Sequence, residues 1–145
     1  MTLFWQNWLR VVSLILVAYG VMMALVVLPP MQDLLRWMID LVLEPSVAAG
    51  PALSERTIFL TGIAGAMLMG WGLLTYFVAT HGLNSGADWA GRAIVTSLTV
   101  WFVVDNIVSF EVGAYVNIAG NTLFALLFAL PFVAGGLASE QAERA

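Results

Sequence analysis

Residues 89–110 read WAGRAIVTSLTVWFVVDNIVSF, a run in which only Arg92 and Asp105 carry charge. An α-helix rises about 1.5 Å per residue, so roughly 20 mainly apolar residues cross the ~30 Å hydrocarbon layer of a bilayer. This run is long enough and apolar enough to do so. Three more stretches meet the same criterion, at about 8–28, 58–80 and 114–137. Pro29-Pro30 is expected to stop the first, and His81-Gly82 follows the second. Asp88 is placed to N-cap the third, and a polar tail, 138–145, follows the fourth. The first stretch exceeds a usual signal-peptide core and has no small-x-small cleavage site after it, so it reads as a retained span. The expected fold is an all-α integral membrane protein: one domain, 1–145, built as an antiparallel bundle of four transmembrane helices.

Composition agrees. Of 145 residues, 61% are hydrophobic and 10% charged, against about 25% charged in ordinary soluble domains. Mean hydropathy is +0.95. There is no cysteine, which excludes disulfides, thiolate metal sites and thiol catalysis. The single histidine, His81, excludes bis-histidine haem within one chain, and the five basic residues are all arginine, which excludes Schiff-base lysine chemistry. A net charge of −4 without any basic run argues against nucleic acid. The Ala/Gly/Val/Leu bias, with arginine as the sole strong base, suggests a bacterial protein, and hence the inner (cytoplasmic) membrane.

Arginines near span ends set orientation. Arg10, Arg92 and Arg144 fall on one side, Arg36 and Arg56 on the other. This places both termini in the cytoplasm, with Trp5, Trp8 and Trp89 as the aromatic belt there. Between the first two spans, residues 31–44 (MQDLLRWMIDLVLE) put Asp33, Arg36, Asp40 and Glu44 on one narrow arc and apolar residues over much of the rest. That pattern is expected to form a short amphipathic helix lying in the interface plane. Pro45 to Pro51 then reads as a flexible turn, and Ser54 as the cap of the second span.

Helices in lipid associate through close packing and polar contacts, because lipid tails are as apolar as leucine. Gly62, Ala66 and Gly70 recur at i+4 on the second span, with Gly65 and Gly72 on a neighbouring arc. The first three form a helix-packing or association face, either within the bundle or towards a partner. A turn at Glu111-Val112-Gly113-Ala114 joins the last two spans. Counting from Gly113, Ser109 and Asn117 fall at matching depth, as do Asn106 and Asn121. Asp105 lies six residues before Glu111, or ~9 Å along the axis. An isolated carboxylate at membrane depth costs on the order of 2.5–3.5 kcal/mol by insertion scales. It therefore needs partners. Arg56 and Arg36 are the candidate ion-pair partners, while Asn106 and Asn121 can donate hydrogen bonds.

The cluster of Asp105, Asn106, Ser109, Asn117 and Asn121 has two readings: a structural clasp between helices, or a ligand-binding site. Trp71 and Trp101, deep in their spans, are candidates for a pocket that takes a flat lipophile. Pro131 is expected to kink the fourth span. No catalytic or metal motif is present and no cofactor is predicted, although a bound quinone, carotenoid or lipid would suit such a pocket. The expected function is non-enzymatic: an accessory or structural subunit of a membrane complex, or a homo-oligomer. The alternative is a binder or transporter of a lipophilic molecule or lipid at the Asp105 cluster, with possible proton linkage.

Overall fold

The computed structural model describes residues 2–42 and 52–143, with residues 135–143 described as backbone only. Among them are five α-helices and no strand: α1 Leu3–Ala24, α2 Pro29–Val42, α3 Glu55–Phe77, α4 Asp88–Glu111 and α5 Tyr115–Glu143. Four stretches are long and apolar enough to cross a membrane: Leu3–Val27, Glu55–Gly82, Asp88–Glu111 and Tyr115–Ala134.

Local chemistry explains most of the boundaries. After α1 the chain tightens into a 3₁₀ turn, Leu25–Val27, and becomes extended at Leu28. The residue before a proline is pushed out of the α region, so the break falls at Leu28. Pro29 and Pro30 then open α2, where a missing N–H costs no helical bond. The prolines thus start a helix as well as stopping one. Ser54 caps α3, its hydroxyl accepting from Thr57 N at 3.1 Å. α3 ends in one wide π-turn, Val78–Gly82, closed by Leu83 N to Val78 O at 3.1 Å.

Three expectations need correction or extension. Asp88 is not the N-cap of α4. Ala87 holds that position without a side-chain bond, and Asp88 is the first helical residue, where its charge still favours the positive end of the helix dipole. α5 runs on through the expected tail to Glu143. Ala138, Glu140, Gln141 and Ala142 are good helix formers, and no proline follows Gly135-Gly136 to stop them. Residues 43–51, with Glu44 and the expected turn, lie outside the described residues, as does Arg144. The described part of the interfacial segment is helical (α2). Arg36 pairs with Asp33 there, and Trp37 and Leu41 stay exposed.

α1 packs against α3 at van der Waals limits. A Cβ built on Gly65 would stand 2.5 Å from Ala24 N and 2.6 Å from Gly20 O. One built on Gly20 would meet Gly65 O and Met69 N at 2.7 Å, and one on Gly72 would meet Val17 Cγ2 at 2.8 Å. Only glycine lets the two backbones approach this far. Leu9, Val12, Ala79, Ile94, Leu98 and Phe128 form the buried apolar core beside this contact.

Pro131 lies inside α5 and is buried. Lacking an N–H, it cannot bond to the carbonyl of Leu127 four residues earlier. Trp8 of α1 fills the gap: its indole Nε1 donates to Leu127 O at 2.8 Å. The bond that proline removes within the helix is replaced by one between helices.

Two outcomes follow for purified protein unfolded in detergent. Gly65→Ala should destabilise by about 1–3 kcal/mol, the range for overpacking a tight contact. Gly62→Ala, where the added methyl meets open space, should change little. Trp8→Phe should cost about 1–3 kcal/mol, because it leaves a partly buried carbonyl unsatisfied. Equal stability of Gly65→Ala and Gly62→Ala would contradict the packing described.

Candidate functional site

The turn between α4 and α5 sets the register of the polar cluster. Gly113 has φ +72°, a left-handed conformation that glycine adopts without strain. Ala114 N bonds back to Ser109 O at 2.8 Å and Gly113 N to Phe110 O at 3.2 Å. These two bonds form a Schellman motif, which satisfies the last carbonyls of α4 while the chain reverses.

Two polar rungs then link α4 to α5. In the first, Asn117 Nδ2 lies 2.8 Å from Ser109 Oγ and 3.1 Å from Asp105 Oδ1. Ser109 Oγ donates to the same Asp105 Oδ1 at 3.1 Å. In the second, Asn121 Nδ2 donates to Asn106 Oδ1 at 3.0 Å. Ser109 and Asn121 are buried, whereas Asp105, Asn106 and Asn117 are half-buried. The five residues therefore do meet, but as two rungs rather than one cluster. Asp105 takes its bonds from Ser109 and Asn117, not from Asn106 or Asn121.

The expected ion pairs are not found. Among the described residues no arginine pairs with Asp105. Arg36 pairs with Asp33 on its own helix, and Arg56 is exposed at the start of α3. Nearby neutral donors cost less to order than a long side chain bent in from another element. Both donors serve Oδ1. Oδ2 accepts no bond among the described residues, yet it is not one of the buried atoms sealed without a partner.

The small-residue stripes exchange roles. Gly62 and Gly70 meet nothing within 4 Å of an added Cβ, and Ala66 is exposed. The stripe read as a packing or association face points outward, and the neighbouring arc of Gly65 and Gly72 packs inward against α1. Sequence could not choose between the two arcs, because both are equally small and apolar.

Trp71 and Trp101 come together with ring centroids 5.6 Å apart. Trp71 stacks on Phe128 at 6.4 Å, and its Nε1 reaches Ser97 Oγ at 3.4 Å. Trp101 meets Phe124 edge-on at 5.7 Å. Of the glycines flanking Trp71, Gly72 lies against Val17, whereas Gly70 meets nothing within 4 Å of an added Cβ. These rings form one aromatic layer that joins α3, α4 and α5.

Some features had no advance signal. A recess of about 400 Å³ lies where α3 turns into α4, lined by Phe77, Val78, His81, Gly82, Ser85, Ala87 and Trp89. His81 stacks on Phe77 at its edge. Gln6 Oε1 and Thr80 Oγ1 are buried without a hydrogen-bond partner among the described residues. Their sequence context gives no hint of this, since it arises from how α1 meets the end of α3. Among the described residues there is no group of three or more His, Asp or Glu side chains that could hold a metal. The arrangement offers chemically a clasp between two helices and one carboxylate oxygen open to an incoming donor.

If the first rung is a clasp, Asn117→Ala should destabilise by about 0.5–2 kcal/mol, the span measured for interhelical hydrogen bonds in membranes. Asp105→Asn should cost less, because its amide oxygen can accept the same two bonds. Thermal unfolding in detergent checks both, and the reverse order would count against a clasp. Compared with protein-family models, curated proteins and solved structures, the chain matches none, so its own residues carry the functional reading.

Proposed function

We propose that the chain is a multi-pass protein of a bacterial inner membrane that works by association, as an accessory subunit of a membrane complex or as a homo-oligomer. In this reading α1, α3, α4 and α5 span the bilayer as an antiparallel bundle and α2 lies in the outer interface. Both termini face the cytoplasm, as the arginine count favours. The exposed apolar side chains support a lipid setting: Met67 is 71% exposed and Phe59 65%. In water such a surface would invite aggregation.

The observation that carries the association reading is the outward stripe of Gly62, Ala66 and Gly70. α3 uses one set of glycines to hold α1 and leaves a second set bare. Small residues at i+4 let another helix backbone approach closely, and small-xxx-small faces commonly associate in membranes. The Asp105 and Asn106 rungs hold α4 and α5 in register behind that face.

A second reading takes the outer end of the bundle as a binding site for a lipophilic molecule. Asp105 favours it, with one oxygen unclaimed and no arginine paired to it among the described residues.

Gly62→Leu and Gly70→Leu should abolish co-purification of a second copy or partner from native membrane, while expression and unfolding temperature stay near those of the unaltered protein. Crosslinking in membrane followed by mass spectrometry reads this directly. Undiminished association in the double variant would overturn the role of the stripe.

A further inference from the structure

The aromatic layer divides the bundle into two unlike halves. On one side lies the buried core of Leu9, Val12, Ala79, Ile94, Leu98 and Phe128. On the other lie Asp105, Ser109 and Asn117. Trp101 sits one helical turn before Asp105 on the same face of α4, half-buried, and its contacts with Trp71 and Phe124 tie it into the layer.

Tyr19 of α1 reaches the same level. The bond from Trp8 to Leu127 O ties α1 to α5. Eleven residues on from Trp8 stands Tyr19, and ten back from Leu127 stands Asn117, which holds Asp105. Tyr19 lies within electrostatic reach of Asp105. Its neighbours on α1, Leu16 and Gly20, are buried, yet Tyr19 is 43% exposed. Its hydroxyl has no hydrogen-bond partner among the described residues. The exposed, unbonded phenol of Tyr19 and the free oxygen of Asp105 thus stand at one level on α1 and α4.

We propose that an organic cation, an ammonium or guanidinium group on an apolar body, binds beside this cluster, with Asp105 supplying the charge and Trp101 and Tyr19 the aromatic faces. The inference rests on the membrane-spanning reading above and names the ligand class for the second reading. Ser109 and Asn117 fix the carboxylate through Oδ1, so Oδ2 is the oxygen left to meet a donor. A carboxylate oxygen accepts and does not donate, and aromatic faces attract cations. Both attractions strengthen away from water. An anion would be repelled. A calcium or magnesium ion wants six or more oxygens, and Asn117 presents its amide nitrogen to this cluster.

The test uses the full chain purified in detergent and titrated calorimetrically with phenethylammonium, an ammonium on an apolar body, with phenylacetate as the anionic control for partition into detergent. Saturable one-to-one binding of the cation alone is expected. Asp105→Asn should weaken it by at least about tenfold, as loss of one partner of a desolvated charge pair does. Trp101→Leu and Tyr19→Leu should each weaken it several-fold, and Asp33→Asn on α2 should leave it unchanged. Circular dichroism and gel filtration establish that each variant is folded. The two aromatic variants keep the test decisive if Asp105→Asn fails to fold. Absence of saturable binding by the unaltered protein overturns the site, as does equal binding by folded Asp105→Asn or by both aromatic variants. A chain that stays soluble and monodisperse without detergent overturns the membrane reading and this inference with it. A chain that needs detergent but binds no cation overturns the inference alone.

Discussion

The contact between the backbones of α1 and α3 at Gly20 and Gly65 governs how the rest of the molecule can pack. There is no room at either position for a Cβ, so the contact fixes the rotation of both helices about their axes. With α1 so turned, Trp8 points at α5 and Tyr19 at the level of Asp105. With α3 so turned, Trp71 points towards α4, and Gly62 and Gly70 point outward. Dispersion attraction falls away steeply with distance. A tight seam between two backbones therefore provides attraction that apolar burial cannot supply where the surroundings are themselves apolar.

The second pair, α4 and α5, is organised differently. Its turn is closed by backbone bonds about Gly113, and its helices are linked by amide and carboxylate side chains. The two pairs meet through large aromatic rings as well as small residues, Ala90 lying against Gly82. Trp71, Trp101, Phe124 and Phe128 act as a spacer, and the Trp8 bond to Leu127 O crosses between the pairs where Pro131 has left a carbonyl free. In a hydrocarbon setting no water would be available for that carbonyl, which makes the indole donor a requirement of placing proline there. The helices are thus joined by glycine in one place and by indole in another. A polar cluster suits binding, whereas a bare small-residue face suits association. The two readings use different surfaces of α3, α4 and α1, so each can be tested without disturbing the other.

Much of this was legible in residue order. Four long apolar helices, the Ser54 cap and the tight turn at Gly113 all depend on neighbours in the chain, as does the matched depth of Ser109 and Asn117. Hydrophobic run length and local backbone chemistry determine such features directly. That no described arginine pairs with Asp105 was not legible, because it depends on Arg36 finding Asp33 three residues away. The sequence also gave no sign that a tryptophan near the start of α1 answers a proline near the end of α5.

The clearest division concerns α3. Sequence by itself determined that it is a long apolar helix carrying two stripes of small residues. Only the tertiary structure decided that Gly65 and Gly72 face α1 while Gly62 and Gly70 face outward. In a soluble helix, contrast between polar and apolar faces would have made that choice in advance. A helix apolar on every side carries no such contrast, so its rotation is settled by the shapes it meets: α1 offers Gly20 and Val17 to one stripe and nothing to the other.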